Sequence, residues 1–158
     1  MSRKTVRFDA GAMGSVVFVV GLLGAVWCRE AVGRDLYLTE VRRQLVGAGM
    51  VLGLGDFELT HHTKVGKIYW YQPGAVLTLD LDRGREYAIV GVCDRDCRDV
   101  DLVLHDGVGR LIDEDTGTDD YPLVRVLPRY HDRFAVRVIM HDCRARRCSY
   151  GVGVFGKR

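Results

Sequence analysis

The sequence predicts a mainly β protein: a two-sheet antiparallel β-sandwich of jelly-roll type with about eight strands, preceded by one amphipathic helix and an N-terminal hydrophobic segment. Two observations predict this fold. Beyond residue 56, apolar and polar positions alternate, as over residues 77–81 and 134–140, which is typical of strands that bury one face. Glycine, aspartate and proline turn signals separate the alternating runs. The predicted strands are Phe57–His62, Val76–Asp82, Glu86–Cys93, Asp99–Asp106, Arg110–Glu114, Leu123–Leu127, Arg133–Asp142 and Ser149–Phe155.

The first 28 residues have the order of an export signal. Arg3, Lys4 and Arg7 precede residues 10–28, a run of 19 residues without a charge. A basic segment followed by an apolar one is the order typical of an export signal. At ~1.5 Å per residue the run just spans a hydrocarbon core of ~30 Å, so a cleaved signal peptide and an uncleaved membrane anchor both stay open. In either case we expect the rest of the chain in the periplasm or outside the cell, with the membrane involved only through this segment.

The sequence predicts one amphipathic helix over residues 31–52. Its apolar positions recur at spacings of four, four and three: Tyr37, Val41, Leu45 and Ala48. This periodicity places them on one helical face, and a glycine-rich stretch after residue 46 is typical of a helix end. We expect the helix to pack on an end or a face of the sandwich domain, which is predicted over residues 56–156.

Composition and missing motifs exclude several classes of function. The formal charge is +2, from 23 Lys+Arg against 21 Asp+Glu, without a long block of like charge, so we expect no nucleic-acid partner. No glycine-rich loop joins a predicted strand to a helix in the way that nucleotide binding requires. Ser149, the only serine beyond the N-terminal segment, lies between two non-glycine residues and not on a Gly-x-Ser-x-Gly turn. A serine hydrolase is therefore not indicated.

Four cysteines fall in two short segments, Cys93 to Cys97 and Cys143 to Cys148. In an oxidising compartment we expect two disulfides, and of the three pairings the local one, Cys93 with Cys97 and Cys143 with Cys148, is favoured. The alternative is a four-cysteine zinc site. Its spacers would be longer than the usual Cys-x-x-Cys, and its thiolates would be oxidised outside the cell.

Acidic residues cluster beside the first cysteine pair. Asp94, Asp96, Asp99 and Asp101 supply four carboxylates within eight residues. Because close like charges repel and calcium prefers oxygen ligands, these residues are a candidate calcium site. The alternative is a solvated acidic turn whose side chains accept hydrogen bonds from backbone amides. The sequence indicates no required cofactor.

The aromatic run Tyr69, Trp70 and Tyr71 is a candidate binding surface, since exposed aromatic side chains often serve recognition. The alternative is that alternate members of the run belong in the core. The five histidines are scattered along the sequence and do not suggest an acid, a base and a nucleophile. A small hydrolase that uses histidine, aspartate or a metal therefore stands only as the second hypothesis.

The second half of the chain carries an ordered series of strand motifs: Tyr87–Cys93, Asp99–Leu104, Gly109–Asp115, Arg133–Val138 and Tyr150–Val154. Over about residues 76–155 this order resembles the bacterial pre-peptidase C-terminal domain family. In that family an Asp-x-Asp-Leu-x-Leu strand precedes a glycine-containing turn, and an aromatic residue begins a Val-Arg-Val strand. By this resemblance Asp99 and Asp101 occupy the Asp-x-Asp positions. The paired cysteines are not a general feature of the family.

The resemblance implies an exported β-sandwich without its own active site, of a kind often appended to secreted peptidases, where relatives bind substrate, calcium or the parent enzyme. Together with the N-terminal signal, it predicts a non-catalytic module with a binding or structural role in the bacterial envelope or secreted fraction. The expected partner is an extracellular protein or polysaccharide. An inhibitor or chaperone of a separate secreted peptidase is a further alternative.

Overall fold

The computed structural model describes residues 39 and 41–158, which form one helix and two antiparallel sheets. The predicted hydrophobic segment and the first part of the predicted helix lie outside these residues. Among the described residues, no helix is both long and apolar enough to cross a membrane. Helix α1 covers residues 41–51. The strands are β1 (Phe57–Leu59), β2 (Lys64–Tyr69), β3 (Ala75–Leu81), β4 (Tyr87–Cys93), β5 (Cys97–His105), β6 (Leu111–Asp115), β7 (Leu123–Val126), β8 (Asp132–Cys143) and β9 (Arg147–Lys157).

The strand order confirms the predicted jelly-roll type of sandwich. In sheet A, β9 pairs with β4, β4 pairs with β7, and β1 and β2 share the other edge of β9. In sheet B the order is β3, β8, β5, β6. The pairs β2 with β9, β3 with β8, β4 with β7 and β5 with β6 are the successive rungs of one long hairpin that is folded over itself, which is the jelly-roll connection.

Strand β2 is not among the strands predicted from the sequence. The predicted first strand, Phe57–His62, is shorter in the structure, and a further strand follows it at Lys64–Tyr69. This strand lies at a sheet edge and buries only Ile68, so its sequence does not alternate in the usual way. Gly66 lies under the ring of Tyr150, where an added Cβ would be 2.6 Å from the ring carbon Cζ. A glycine here permits a close contact instead of ending the strand.

The main core lies between the two sheets. Tyr87 and Ile89 of β4 face Leu102 and Leu104 of β5, and all four side chains are almost completely buried. The inward positions follow the period of two that the sequence shows. In β4, however, the alternate positions are buried as well, because a third layer covers the outer face of sheet A.

That third layer is helix α1. Its apolar face meets β9 at glycine positions: a Cβ on Gly151 would collide with Val41, and a Cβ on Gly153 would lie 3.0 Å from Leu45. Farther along the helix, Gly49 lies beside the ring of Phe155. The helix therefore packs on a face of the sandwich and runs along β9 in the same direction. The glycines let the helix approach the sheet closely, since a larger side chain would hold the two apart.

Candidate binding surface

Both predicted local disulfides are present. Cys93 bonds to Cys97 and Cys143 bonds to Cys148, with a Cα–Cα separation of 5.9 Å in each case. The first disulfide closes the turn between β4 and β5, and the second closes the turn between β8 and β9. With all four sulfur atoms in disulfides, these residues do not provide the thiolates of the alternative zinc site.

The two disulfide loops are joined to each other at one end of the sandwich. Cys97 lies opposite Cys143 in the pairing of β5 with β8. The backbone N–H of Arg144 donates to the carbonyl oxygen of Asp96 at 2.8 Å. The N–H of Ser149 donates to Oδ2 of Asp94 at 2.7 Å, and the N–H of Asp94 donates back to the carbonyl oxygen of Ser149 at 3.0 Å. We call this region the disulfide end. These hydrogen bonds connect the two disulfide loops to each other.

The aromatic run lies beside this end, where β2 stops. Trp70 is 75% exposed and Tyr71 is 65% exposed, whereas Tyr69 is half-buried. The rings contact each other: Tyr69 stacks on Tyr71 at 5.6 Å between centroids, and Trp70 meets Tyr71 edge-on at 5.8 Å. The alternative prediction, that alternate members of the run enter the core, is wrong for these three residues. The inward position here belongs to Ile68.

Backbone hydrogen bonds fix the aromatic run to the second disulfide loop. The N–H of Trp70 donates to the carbonyl oxygen of Arg146 at 3.2 Å. The turn after β2 is closed by Gln72, whose N–H donates to the carbonyl oxygen of Tyr69 at 2.8 Å and whose Oε1 accepts from the N–H of Tyr69 at 2.9 Å. The aromatic side chains are thus exposed on a backbone that is held at both ends.

The same segments are basic and carry no carboxylate. Neither residues 63–79 nor residues 143–157 contain an aspartate or a glutamate. They contain these cationic side chains: Lys64, Lys67, Arg144, Arg146, Arg147 and Lys157. Because β2 pairs with β9, the two segments lie side by side. One continuous part of the molecule therefore has cations without acidic neighbours from its own strands.

Three exposed arginines in this region have no ionic partner. Within residues 41–158, no carboxylate pairs with Arg144, Arg146 or Arg147. Elsewhere in the described chain, ion pairs with carboxylates hold Arg85, Arg110, Arg125 and Arg133, whereas other exposed arginines, among them Arg83 and Arg129, have no such pair. We call the three arginines of the second disulfide loop, together with Tyr69, Trp70 and Tyr71, the aromatic–arginine surface. The first disulfide loop is mixed in charge, since Arg95 and Asp96 are both exposed.

The four aspartates proposed for calcium do not converge on one point. Asp94 bonds to a backbone amide and Asp96 is exposed. Asp101 is 2% exposed and its Oδ2 lies 2.8 Å from Nε2 of His141. Asp94 and Asp99 each keep one buried oxygen without a hydrogen-bond partner. Among residues 39 and 41–158, no group of three or more His, Cys, Asp or Glu side chains is arranged to hold a metal ion. Calcium binding therefore stays a prediction from the sequence.

Burial raises the pKa of Asp101 above its ordinary value, although the neighbouring His141 acts in the opposite direction. The carboxylates of Asp99 and Asp115 add to the increase. Buried polar groups of this kind are costly unless they are paired. The contact with His141 therefore gives Asp101 a structural role that its position in the sequence did not reveal.

A second acidic segment, 113–120, joins the two sheets. Oδ2 of Asp113 accepts the backbone N–H of Arg125 at 2.7 Å, and Oδ2 of Asp115 accepts the N–H of Leu123 at 2.8 Å. The carboxylates belong to β6, at the edge of sheet B, and the amides to β7, at the edge of sheet A. Buried or partly buried backbone donors need such partners. These aspartates close that side of the sandwich.

The histidines have separate partners. His131 contacts Asp82 at 3.1 Å, and His61 contacts the carbonyl oxygen of Asp80 at 3.1 Å. The hydroxyl group of the adjacent Thr60 lies 2.9 Å from Nδ1 of His61. In the described part of the chain, no hydrogen bond joins two histidines or links a histidine to a serine or a cysteine. A hydrolytic site needs such contacts between its acid, base and nucleophile. The geometry therefore gives the hydrolase hypothesis no support.

No protein-family model matches the chain, and no curated protein matches it. Among solved structures, the pre-peptidase C-terminal domain of a collagenase from Bacillus anthracis is similar, with 15% identity, a TM-score of 0.45, and coverage of 61% of this chain and 88% of that one. PliG, a periplasmic inhibitor of g-type lysozyme from Aeromonas hydrophila, has 9% identity, a TM-score of 0.43 and coverage of 60% and 84%. A structure of accessory secretory proteins 1, 2 and 3 from Streptococcus pneumoniae has 11% identity, a TM-score of 0.38 and coverage of 67% and 89%. The likeness of this chain to these proteins is a resemblance in fold and does not establish membership of a family.

Proposed function

We propose that this chain is a non-catalytic, exported binding module and that the aromatic–arginine surface holds its partner. The observation that carries the proposal is the placement of exposed Trp70 and Tyr71 next to arginines that have no ionic partner. Trp, Tyr and Arg are the residue types that contribute most often to the energetic centre of an interface. Large aromatic side chains that stay in water in the free protein are available for burial by a partner.

The disulfides support the same proposal. A binding surface loses affinity when its loops must become ordered on binding, and rigid loops avoid that cost. Here the two disulfide loops are bonded to each other, and the aromatic run is bonded to one of them. Disulfides of this kind form and persist outside the reducing cytosol. An exported location is thus consistent with both the cysteines and the basic and apolar N-terminus. The proposed function requires no cofactor.

Photocrosslinking in the native cells tests the proposal. A benzophenone amino acid replaces Tyr71 in the full chain, and the matched control replaces Tyr130, which is also exposed, at 75%. We expect a discrete product, crosslinked to a protein or to a lipid, from position 71 that is absent from position 130 and is lost when Trp70→Ala and Arg146→Ala are added. Equal labelling from both positions, or none from position 71, contradicts the proposal. A secreted peptidase in the product would identify the inhibitor or chaperone role.

A further inference from the structure

The described part of helix α1 begins opposite Gly151, in the half of β9 that is nearer to the aromatic–arginine surface. Helix α1 and β9 run in the same direction, since Val41 faces Gly151 and Leu45 faces Gly153. β9 begins at Arg147, four residues before Gly151. At about 3.3 Å per strand residue, the start of the described helix lies opposite a point on β9 that is roughly 13 Å from Arg147. The other end of the helix points away from the disulfide loops.

The uncharged 19-residue run ends at Cys28, and only ten residues separate it from the first described residue, Thr39. Ten residues reach roughly 35 Å even when they are fully extended. A run of this length is long enough for a bilayer. When the run is retained in a bilayer, the first described residue therefore stays within that distance of it.

We infer that the partner of the aromatic–arginine surface is an anionic lipid bilayer. This inference rests on the proposed function, because it uses the same surface. Arginine and lysine side chains near a membrane attract anionic headgroups, and each strengthens docking about fivefold. Trp and Tyr are the side chains that prefer the boundary between headgroups and acyl chains. The surface combines both types of residue.

The absence of acidic residues from β2, β9 and their flanks agrees with this partner. A carboxylate on the docking face would be repelled by anionic headgroups and costly to bring near them. Two exposed carboxylates of the disulfide end, Asp96 and Asp142, belong to the turn that leads to sheet B and to β8 of sheet B. The contact with the bilayer is thus made by the side of the disulfide end that β2 and β9 form, with Trp70 and Arg147 toward the lipid.

Fluorescence of Trp70 tests the inference directly. The chain has two tryptophans, so Trp27→Phe leaves Trp70 as the only one. The full chain is reconstituted into vesicles of phosphatidylcholine alone, or of phosphatidylcholine and phosphatidylglycerol in equal parts, with brominated acyl chains as the quencher. We expect Trp70 to be quenched and its emission shifted to the blue only with phosphatidylglycerol. Concentrated salt should reverse both effects.

Two sets of substitutions that remove the same number of positive charges distinguish docking through this surface from non-specific electrostatic attraction of the protein to anionic lipid. Replacing Arg144, Arg146 and Arg147 by Gln should lower the ratio of docked to undocked protein on the order of a hundredfold. The control replaces Arg83, Arg129 and Arg158 by Gln. Arg83 and Arg158 line one groove beyond the far end of β9, and Arg129 follows Pro128, whose carbonyl oxygen bonds to the adjacent turn. We expect the control to keep most of the quenching.

The inference is overturned if Trp70 of the incorporated protein stays unquenched in anionic vesicles, or if both sets of substitutions reduce quenching equally. The crosslink from position 71 then separates the two proposals. A discrete protein product without lipid quenching rejects the bilayer and leaves the binding-module proposal in place. Absence of both the crosslink from position 71 and the quenching of Trp70 rejects both the binding-module proposal and the bilayer inference.

Discussion

The contact between helix α1 and sheet A makes a quantitative prediction for Gly151→Ala. A Cβ at position 151 would collide with a methyl group of Val41 and lie 3.2 Å from a methyl group of Val92. Val41 is β-branched and sits in a helix, so its side chain has little rotational freedom with which to move away. The added methyl group therefore has to displace the helix or the strand.

The expected cost follows from two opposing effects. Overpacking of a tight core costs about 1–3 kcal/mol, and the near absence of rotational freedom in Val41 favours the upper part of that range. Replacing a strand glycine by alanine returns about 0.5–1 kcal/mol, because the unfolded chain loses freedom. The net destabilisation should be about 2 kcal/mol, which corresponds to a fall in melting temperature of roughly 8 °C for a domain of this size.

A double-mutant cycle shows whether the collision is the cause. Val41→Ala removes the colliding methyl group and leaves the Cβ of residue 41 at 3.5 Å, an ordinary contact distance. In that background the 3.2 Å approach to Val92 remains, so Gly151→Ala should cost less than about 1 kcal/mol. The control Gly47→Ala, on the exposed side of the helix with no atom near its added Cβ, should stabilise the protein by about 1 kcal/mol.

Urea denaturation followed by circular dichroism provides the four free energies of unfolding. An equal cost of Gly151→Ala with and without Val41→Ala would contradict this prediction, because the penalty could then not come from the helix. The helix would not be docked over this part of β9.

The remaining predictions concern the disulfide end and its buried acid. Replacing both Cys143 and Cys148 by Ser opens a loop with a sequence separation of 5 and should lower the free energy of unfolding by about 2 kcal/mol in urea denaturation; an unchanged midpoint would show that the disulfide does not constrain the chain. The pKa of Asp101 is raised in the folded state, so its charge opposes folding above that pKa and the penalty disappears as the pH falls through it. Asp101→Asn carries no charge at any pH and can still accept from His141; it should therefore be more stable than the wild-type protein near neutral pH, with a difference that shrinks toward about pH 4. A difference that grows on acidification would contradict this.

Local patterns in the sequence were sufficient for most strands and for the cysteine pairs. The alternation over 134–140 corresponds to the buried and exposed sides of β8, and the close spacing of Cys93 and Cys97 favoured the disulfide that the structure contains. The alternation pattern does not predict strand β2, because an edge strand with a glycine under the ring of Tyr150 needs no regular alternation.

The sequence predicts only the aromatic part of the candidate site. The sequence predicts a binding surface at the run Tyr69 to Tyr71, but nothing in it indicates a binding role for the arginines between Cys143 and Cys148. They become part of one surface because β2 pairs with β9, a contact between segments about 80 residues apart. No local signal reports such a pairing, since its energy comes from backbone hydrogen bonds and a shared core.

Periodicity and spacing act over a few residues, so the amino-acid order alone is enough to predict the mainly β composition, the positions of most strands and the two short disulfide loops. Three features follow only from the folded molecule: which strands are neighbours, the packing of helix α1 against the glycines of β9, and the contact between the aromatic run and the arginine loop. These features depend on distant segments filling space against each other, and the same local pattern is compatible with many such arrangements.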